Sequence, residues 1–358
     1  MLLLLLLNFT LPGVLTYGDR IFYYDARSLS LGGNLTVLEN NINPASSGLS
    51  DKIQFNFSGF LYAGTEKRGL RVYDSYGNNI GIATISINHT TEHNFAPAGF
   101  IMPVKIFRFG LRYYRFQDFN YLYHYDYRDD FYQITRTVDN VYSGSLNSIA
   151  PLIGINFKGI NIGVEQGFIY GAIKSDLKIL YPQGEDSITS ISHNLSGNNT
   201  KIGFIFAPSL HLRFAYYYNN ILRVTDKDDS LSYPARHNFG VYYQPPHRVP
   251  TKFVAEVDYE LWNEPVFIYK FGVEHTILYN YYLRYGFCIF PDYIEPAIWT
   301  TNLTIGFGVQ LKNYYFDAGL AYGKRDYANT DFGGLGIKEK YIFDETQNYF
   351  LLSFGFKL

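Results

Sequence analysis

The sequence predicts an all-β fold, a transmembrane antiparallel β-barrel of about 14 strands, on three observations. Between residues 301 and 311, Thr301, Leu303, Ile305, Phe307, Val309 and Leu311 fall on one side of an extended chain, and Asn302, Thr304, Gly306, Gly308 and Gln310 on the other. The closing segment repeats the pattern, with Phe350, Leu352, Phe354, Phe356 and Leu358 in phase, as expected of a last strand that must pair with the first in a closed barrel. Third, the chain is 47% hydrophobic and 19% aromatic, with 35 Tyr and 30 Phe, yet its mean hydropathy is −0.11 and no apolar run nears the roughly 18 residues of a membrane helix. Lipid-facing residues alternating with water-facing ones reconcile these figures, whereas a soluble all-β protein rarely carries so much tyrosine.

Residues 1–18 read as a signal peptide. Leu2 to Leu7 run unbroken, no charge precedes Asp19, and small residues near Val14, Thr16 and Gly18 suit cleavage, although the usual basic start is missing. Residues 19–50 form a polar segment with little alternation, and residues 51–358 are assigned to the barrel. Strands are expected at 52–63, 80–89, 103–117, 141–157, 160–175, 199–207, 209–220, 237–244, 250–262, 265–277, 280–290, 300–311, 313–323 and 347–358, fourteen in all. An even number and lengths near ten residues suit tilted crossings of an outer membrane. Lys158-Gly159, Pro208-Ser209 and Lys312-Asn313 mark tight turns, read as periplasmic, and the polar stretches 118–140, 176–198, 221–236 and 324–346 read as long outer loops. Tyr121, Tyr123, Tyr125 and Tyr127, with Tyr216, Tyr217 and Tyr218, are expected in interface girdles or at loop bases.

With the apolar face turned outward, Glu256, Asp258 and Glu260 share the lumen side of one strand and Lys270 and Glu274 that of the next, while Arg108, Arg112, Arg284 and Asp317 join them from others. An unpaired buried ion is costly, so lumen-filling ion pairs are the first expectation; ligand binding or gating by some of these charges is the alternative. Carboxylates at alternate strand positions lie about 6 to 7 Å apart, a separation that glycosidases use. No nucleophile elbow, HExxH or P-loop accompanies them, so no enzyme is expected. His211, His237, His247 and His275 lack metal-ligand spacing, and neither a metal nor another cofactor is expected. The single cysteine, Cys288, excludes an internal disulfide framework and reads as a small packing residue. A net charge of −2 and a pI near 6.4 give no electrostatic case for nucleic acid.

Several segments, taken in order, resemble the FadL/TodX outer-membrane transport family and its PorV-like relatives. ARSLSLGG (26–33) followed by NINPASSGL (41–49) is similar to that family's A-R-x-x-x-L-G-G … N-P-A-G-L opening. KFVAEVDYELW (252–262) resembles its D-Y-x-x-W strand, YKFGVEHTI (269–277) and YYLRYGF (281–287) its G-x-E-Y … L-R-x-G-Y pair, and TIGFGVQLKNYYFDAGLAYG (304–323) the hairpin that follows. The chain departs from the pattern in reading NPASSGL for NPAGL and in ending on Leu358 rather than an aromatic residue. The resemblance implies a bacterial outer-membrane barrel in which residues 19–50 fold inside as a plug or hatch, with Asn43, Pro44 and Ala45 at the N-P-A position. It implies passive uptake of hydrophobic, fatty-acid-like small molecules through that plugged lumen, with Arg108, Arg112 and Arg284 as candidates to hold a carboxylate head. The PorV-like relatives imply an alternative, a binding and shuttle component for secreted proteins. Expected partners are therefore outer-membrane lipids, a hydrophobic ligand, the barrel-assembly machinery and, in the alternative, secreted proteins.

Overall fold

The computed structural model describes residues 17–21, 23–39, 41–95, 97–129, 131–226, 229–246, 249–330 and 340–358; nearly all of the expected signal peptide, and His247, lie outside them. A single antiparallel sheet closes on itself through fourteen staves. Ten are continuous: β1 (Gln54–Tyr73), β4 (Ile134–Phe157), β5 (Ile160–Leu180), β6 (Ser187–Ser209), β9 (Thr251–Leu261), β10 (Pro265–Ile277), β11 (Tyr281–Pro291), β12 (Trp299–Leu311), β13 (Tyr314–Thr330) and β14 (Lys340–Lys357). Four are interrupted: β2 (Asn79–Asn94 and Ala98–Val104), β3 (Phe107–Asp118 and Tyr121–Arg128), β7 (Leu212–Asn219 and Leu222–Asp226) and β8 (Asp229–Tyr233 and Arg236–Tyr243). Closure is between the last stave and the first, with Phe354 opposite Phe57 and Phe356 opposite Phe55.

The alternation in the sequence becomes the two faces of this wall. On β12, Leu303 and Ile305 are 59% and 54% exposed, and the intervening Asn302 and Thr304 are buried on the inside. Such a wall holds its backbone hydrogen bonds internally and offers hydrocarbon only side chains, the condition for crossing a bilayer. Among the described residues no helix is long and apolar enough to cross a membrane, so the strands are the spanning elements.

Three expectations are corrected. The stretches expected as outer loops are largely paired strand, as in Thr137 opposite Leu180 and Lys178 opposite Ile188. Beyond the bilayer both faces of the sheet meet water, so pairing continues after the apolar alternation has ended. The turn expected at Pro208-Ser209 falls beyond Ser209, and the strand expected at 103–117 contains a turn at Lys105, whose φ of 56° reverses the chain between the halves of a hairpin. At Lys158-Gly159 the expectation holds: φ of 45° and 85° is the left-handed pair that tight hairpins require. Third, of the two places expected for Tyr121, Tyr123, Tyr125 and Tyr127, the lipid-facing girdle is not the one they take. They face inward at the tall end of the barrel, where Tyr123 is buried beneath the Arg68 guanidinium at 4.0 Å, while Leu122 faces out.

Candidate functional site

Residues 23–39 and 41–50 are almost wholly buried, and their contacts are with the inner face of the wall. A one-turn helix, α1 (Ala26–Ser30), starts on Asp25: Ser28 N donates to its carboxylate at 2.6 Å, and Asp25 N donates to Ser28 Oγ at 3.0 Å, a reciprocal cap. Gly32 and Gly33, with φ of 71° and 77°, end it. A 3-10 turn (Pro44–Leu49) follows, with Asn43 as its cap: Ala45 N donates to Asn43 Oδ1 at 3.0 Å while Asn43 Nδ2 donates to Thr36 O at 2.9 Å. Pro44 at the first helical position gives up no backbone bond, so the motif residues Asn43, Pro44 and Ala45 fix a turn by local chemistry.

The charges predicted for the lumen meet as ion pairs and bind this segment to the wall. Lys270 donates to Glu256 at 2.7 Å and to Asp258 at 2.8 Å, and Glu256 also accepts Leu35 N and Thr36 N, each at 2.7 Å. Glu260 takes Arg20 at 2.6 Å and Arg236 at 2.5 Å. Glu274 takes Arg284 at 2.7 Å, Arg27 at 3.1 Å and Lys252 at 2.5 Å, and Arg284 reaches Asp317 at 2.5 Å. The candidate head-group arginines therefore do not converge. Arg112 donates to Glu165 at 2.7 Å and to Ile42 O at 3.2 Å; Arg108 donates to Ser50 O at 2.7 Å; Arg284 belongs to the Glu274 group.

The sequence reading missed the inward glycines that make room for the segment. A Cβ on Gly203 would stand 2.0 Å from Asn43 Oδ1, and one on Gly286 would stand 2.6 Å from Gly32 N. The signal was present, since these glycines occupy the inward phase of their strands, where a lumen filled only by side chains would favour larger residues.

A small cavity lies between this segment and the wall, lined by Tyr23, Tyr24, Leu35, Ile42, Phe60, Tyr62, Tyr114, Tyr349 and Leu351, with Asp19, Arg20, Glu92, Arg115, Asp118 and Asn120 on its polar side. Pro97 also lines it, and there the wall is broken. Pairing of β1 with β2 passes from Phe60 opposite Asn94 to Phe57 opposite Ala98, so two residues face three in a bulge that one backbone bond still spans, Ser58 N donating to Pro97 O at 2.8 Å. Pairing of β2 with β3 runs from Val104 opposite Phe107 to Ala98 opposite Tyr113, and among the described residues none continues above it. There Asp19 and Arg20 pair with the β3 edge at Asp118 and Gln117, and the two staves are linked by Arg115, which pairs with Glu92 and with Asp118, and by His124 N donating to Asn88 at 3.3 Å. Outside the break, Phe95 is 82% exposed and borders an apolar groove with Phe57, Leu61, Phe316, Phe350, Leu352 and Phe354. Phe60 lines both the inner cavity and this groove. On the short-turn side of the segment lies a charged chamber containing Arg27, Lys252, Glu274, Arg284 and Asp317.

An apolar exterior, a closed antiparallel wall and a charged, filled interior define a transmembrane β-barrel of the bacterial outer-membrane type. Its fold is that of the FadL/TodX barrels. It superposes on a FadL homologue from Pseudomonas aeruginosa with a TM-score of 0.69 at 10% identity, covering 95% of this chain and 99% of that one. The toluene transporter TodX from P. putida matches with a TM-score of 0.70 at 12% identity over 94% and 98% of the two chains. The monoaromatic hydrocarbon channel CymD matches with 0.56 at 12% identity over 94% and 97%. No protein-family model matches the sequence, and no curated protein matches it.

Proposed function

We propose that this chain is a FadL/TodX-like channel that carries hydrophobic small molecules passively across the outer membrane, with residues 19–50 acting as its hatch. The observation that carries the reading is the break at Pro97, where an inner aromatic cavity and an outer apolar groove share Phe60. A molecule that has shed water in the cavity meets two exits. The periplasmic one leads into a chamber of ions, and returning apolar surface to water there costs about 25 cal/mol per Å². The lateral one leads into hydrocarbon at no such cost, so the break between β2 and β3 is the favoured way out.

The fatty-acid reading is narrower, and the arginines weigh against it. Arg108, Arg112 and Arg284 are each held by carboxylates or carbonyls, so a carboxylate head would have to displace a partner already in place. A neutral hydrocarbon needs no such exchange. The secretion-partner alternative finds no support in the structural likenesses, which are to a FadL homologue and to hydrocarbon channels.

Uptake of radiolabelled apolar molecules by a strain lacking the protein, with and without its restoration, tests the reading. Restoration should raise the uptake of at least one apolar ligand; unchanged uptake of every one tried defeats it.

A further inference from the structure

We infer that the inner cavity selects ring-bearing molecules whose head group donates hydrogen bonds, amines and phenols, and rejects carboxylates. This rests on the transport reading above and names the substrate class of the same cavity.

The walls set the ring preference. Tyr23 meets Tyr349 edge-on at 5.2 Å, Tyr349 meets Tyr62 at 4.9 Å, and Tyr24 meets Tyr114 edge-on at 6.2 Å. Tilted and edge-on aromatic contacts are those a guest ring can extend.

The polar side sets the head group. Asp19 lines this cavity and both smaller ones that adjoin it, so it stands where three cavities meet. Among the described residues no ion-pair partner reaches it. Glu92 and Asp118 share a single cation, Arg115. Arg20, the other cation of the lining, is bound to Glu260 at 2.6 Å and lies over the Tyr293 ring at 4.0 Å. Arg325, which lines both adjoining cavities with Asp19, is itself taken by Glu345, so carboxylates outnumber cations in the lining and an anionic head placed here would be disfavoured. The Tyr24 hydroxyl adds a second, independent mark of a ligand: the residue is 3% exposed, lines the cavity, and its Oη has no hydrogen-bond partner among the described residues. A buried hydroxyl is normally paired, and a ligand hydroxyl or amine at this point would pair it.

Four probes that share a ring and differ in head group test this: phenethylamine, 4-ethylphenol, ethylbenzene and 3-phenylpropionate, titrated calorimetrically into the purified full chain in detergent. The amine and the phenol should bind about tenfold or more tighter than the carboxylate, the scale set by one like-charge contact at short range. Asp19→Asn should collapse the ratio of amine to ethylbenzene affinity, and Tyr24→Phe the ratio of phenol to ethylbenzene affinity, in variants shown to be folded by heat-modifiable gel migration. Binding of 3-phenylpropionate as tight as that of the amine, or ratios unmoved by both variants, overturns the inference. Ethylbenzene binding without head-group discrimination overturns this inference alone, whereas failure of all four probes to bind overturns the transport reading with it.

Discussion

Glu256 holds the N-terminal segment by two backbone hydrogen bonds, and Glu256→Gln isolates its contribution. One carboxylate oxygen accepts Leu35 N and Thr36 N at 2.7 Å each, and the other receives Lys270 at 2.7 Å. The amide offers one acceptor in place of two. If that oxygen keeps the backbone donors, the amide NH2 faces the Lys270 ammonium; if it turns to Lys270, two buried N–H groups lose their acceptor. Bonds to a charged acceptor contribute about 1.5 to 3 kcal/mol and an orphaned buried donor costs about 1 to 3 kcal/mol, so the loss of docking is about 2 to 4 kcal/mol. At about 1.4 kcal/mol per tenfold, the undocked population should rise about thirtyfold to several hundredfold. Lys270 keeps Asp258 at 2.8 Å, so the wall itself should hold. Hydrogen–deuterium exchange of the detergent-solubilised protein reads this out: exchange across residues 31–43 should accelerate at least about thirtyfold, with β10 as an unchanged reference. Wild-type exchange rates at Leu35 and Thr36 would refute the view that Glu256 holds the segment in place.

Other sites give separate outcomes. Gly203→Ala puts a methyl 2.0 Å from Asn43 Oδ1, so it should weaken docking by about 1 to 3 kcal/mol, visible as earlier proteolysis between residues 26 and 50; a wild-type cleavage pattern would contradict the close approach. Arg112→Met leaves Glu165 with the Lys201 ammonium at 2.9 Å and the Tyr114 hydroxyl at 3.2 Å, and should destabilise the fold by about 3 to 5 kcal/mol, read as a lower temperature for the gel-mobility shift. Ile305→Arg, outward-facing near the middle of β12, should cost about 2 to 4 kcal/mol of barrel stability in bilayers; equal stability to the parent would count against a lipid-facing position.

Much of the fold was legible because a barrel wall writes itself into sequence with a period of two. Leu303, Ile305 and Phe307 declare the lipid face, and the charges on the opposite phase follow. Even a pairing was within reach: Glu256 and Lys270 stand directly opposite each other in neighbouring staves, as antiparallel alignment of the two predicted strands would place them. Features that depend on the third dimension were not legible. Stave extensions beyond the bilayer carry no alternation, so 121–128 and 187–198 read as loop although their backbones are paired. The inward turn of Tyr123 and its neighbours follows from the phase of β3, which the turn at Lys105 and the break at Asn120 obscure. The gap left at residues 90–102 concealed the interruption before Pro97, because a proline within weak alternation marks a loop and a broken wall alike.

Under the proposed function, molecules leave sideways where the β2–β3 ladder ends. In a Cys288→Ala background, Glu92→Cys with Arg115→Cys places thiols on the two staves whose side chains now bridge that gap, and a short reducible bis-methanethiosulfonate can lock them together. Uptake of an apolar ligand into proteoliposomes should fall when the bridge is installed and return when the same sample is reduced. Equal uptake by bridged and reduced protein would contradict lateral release.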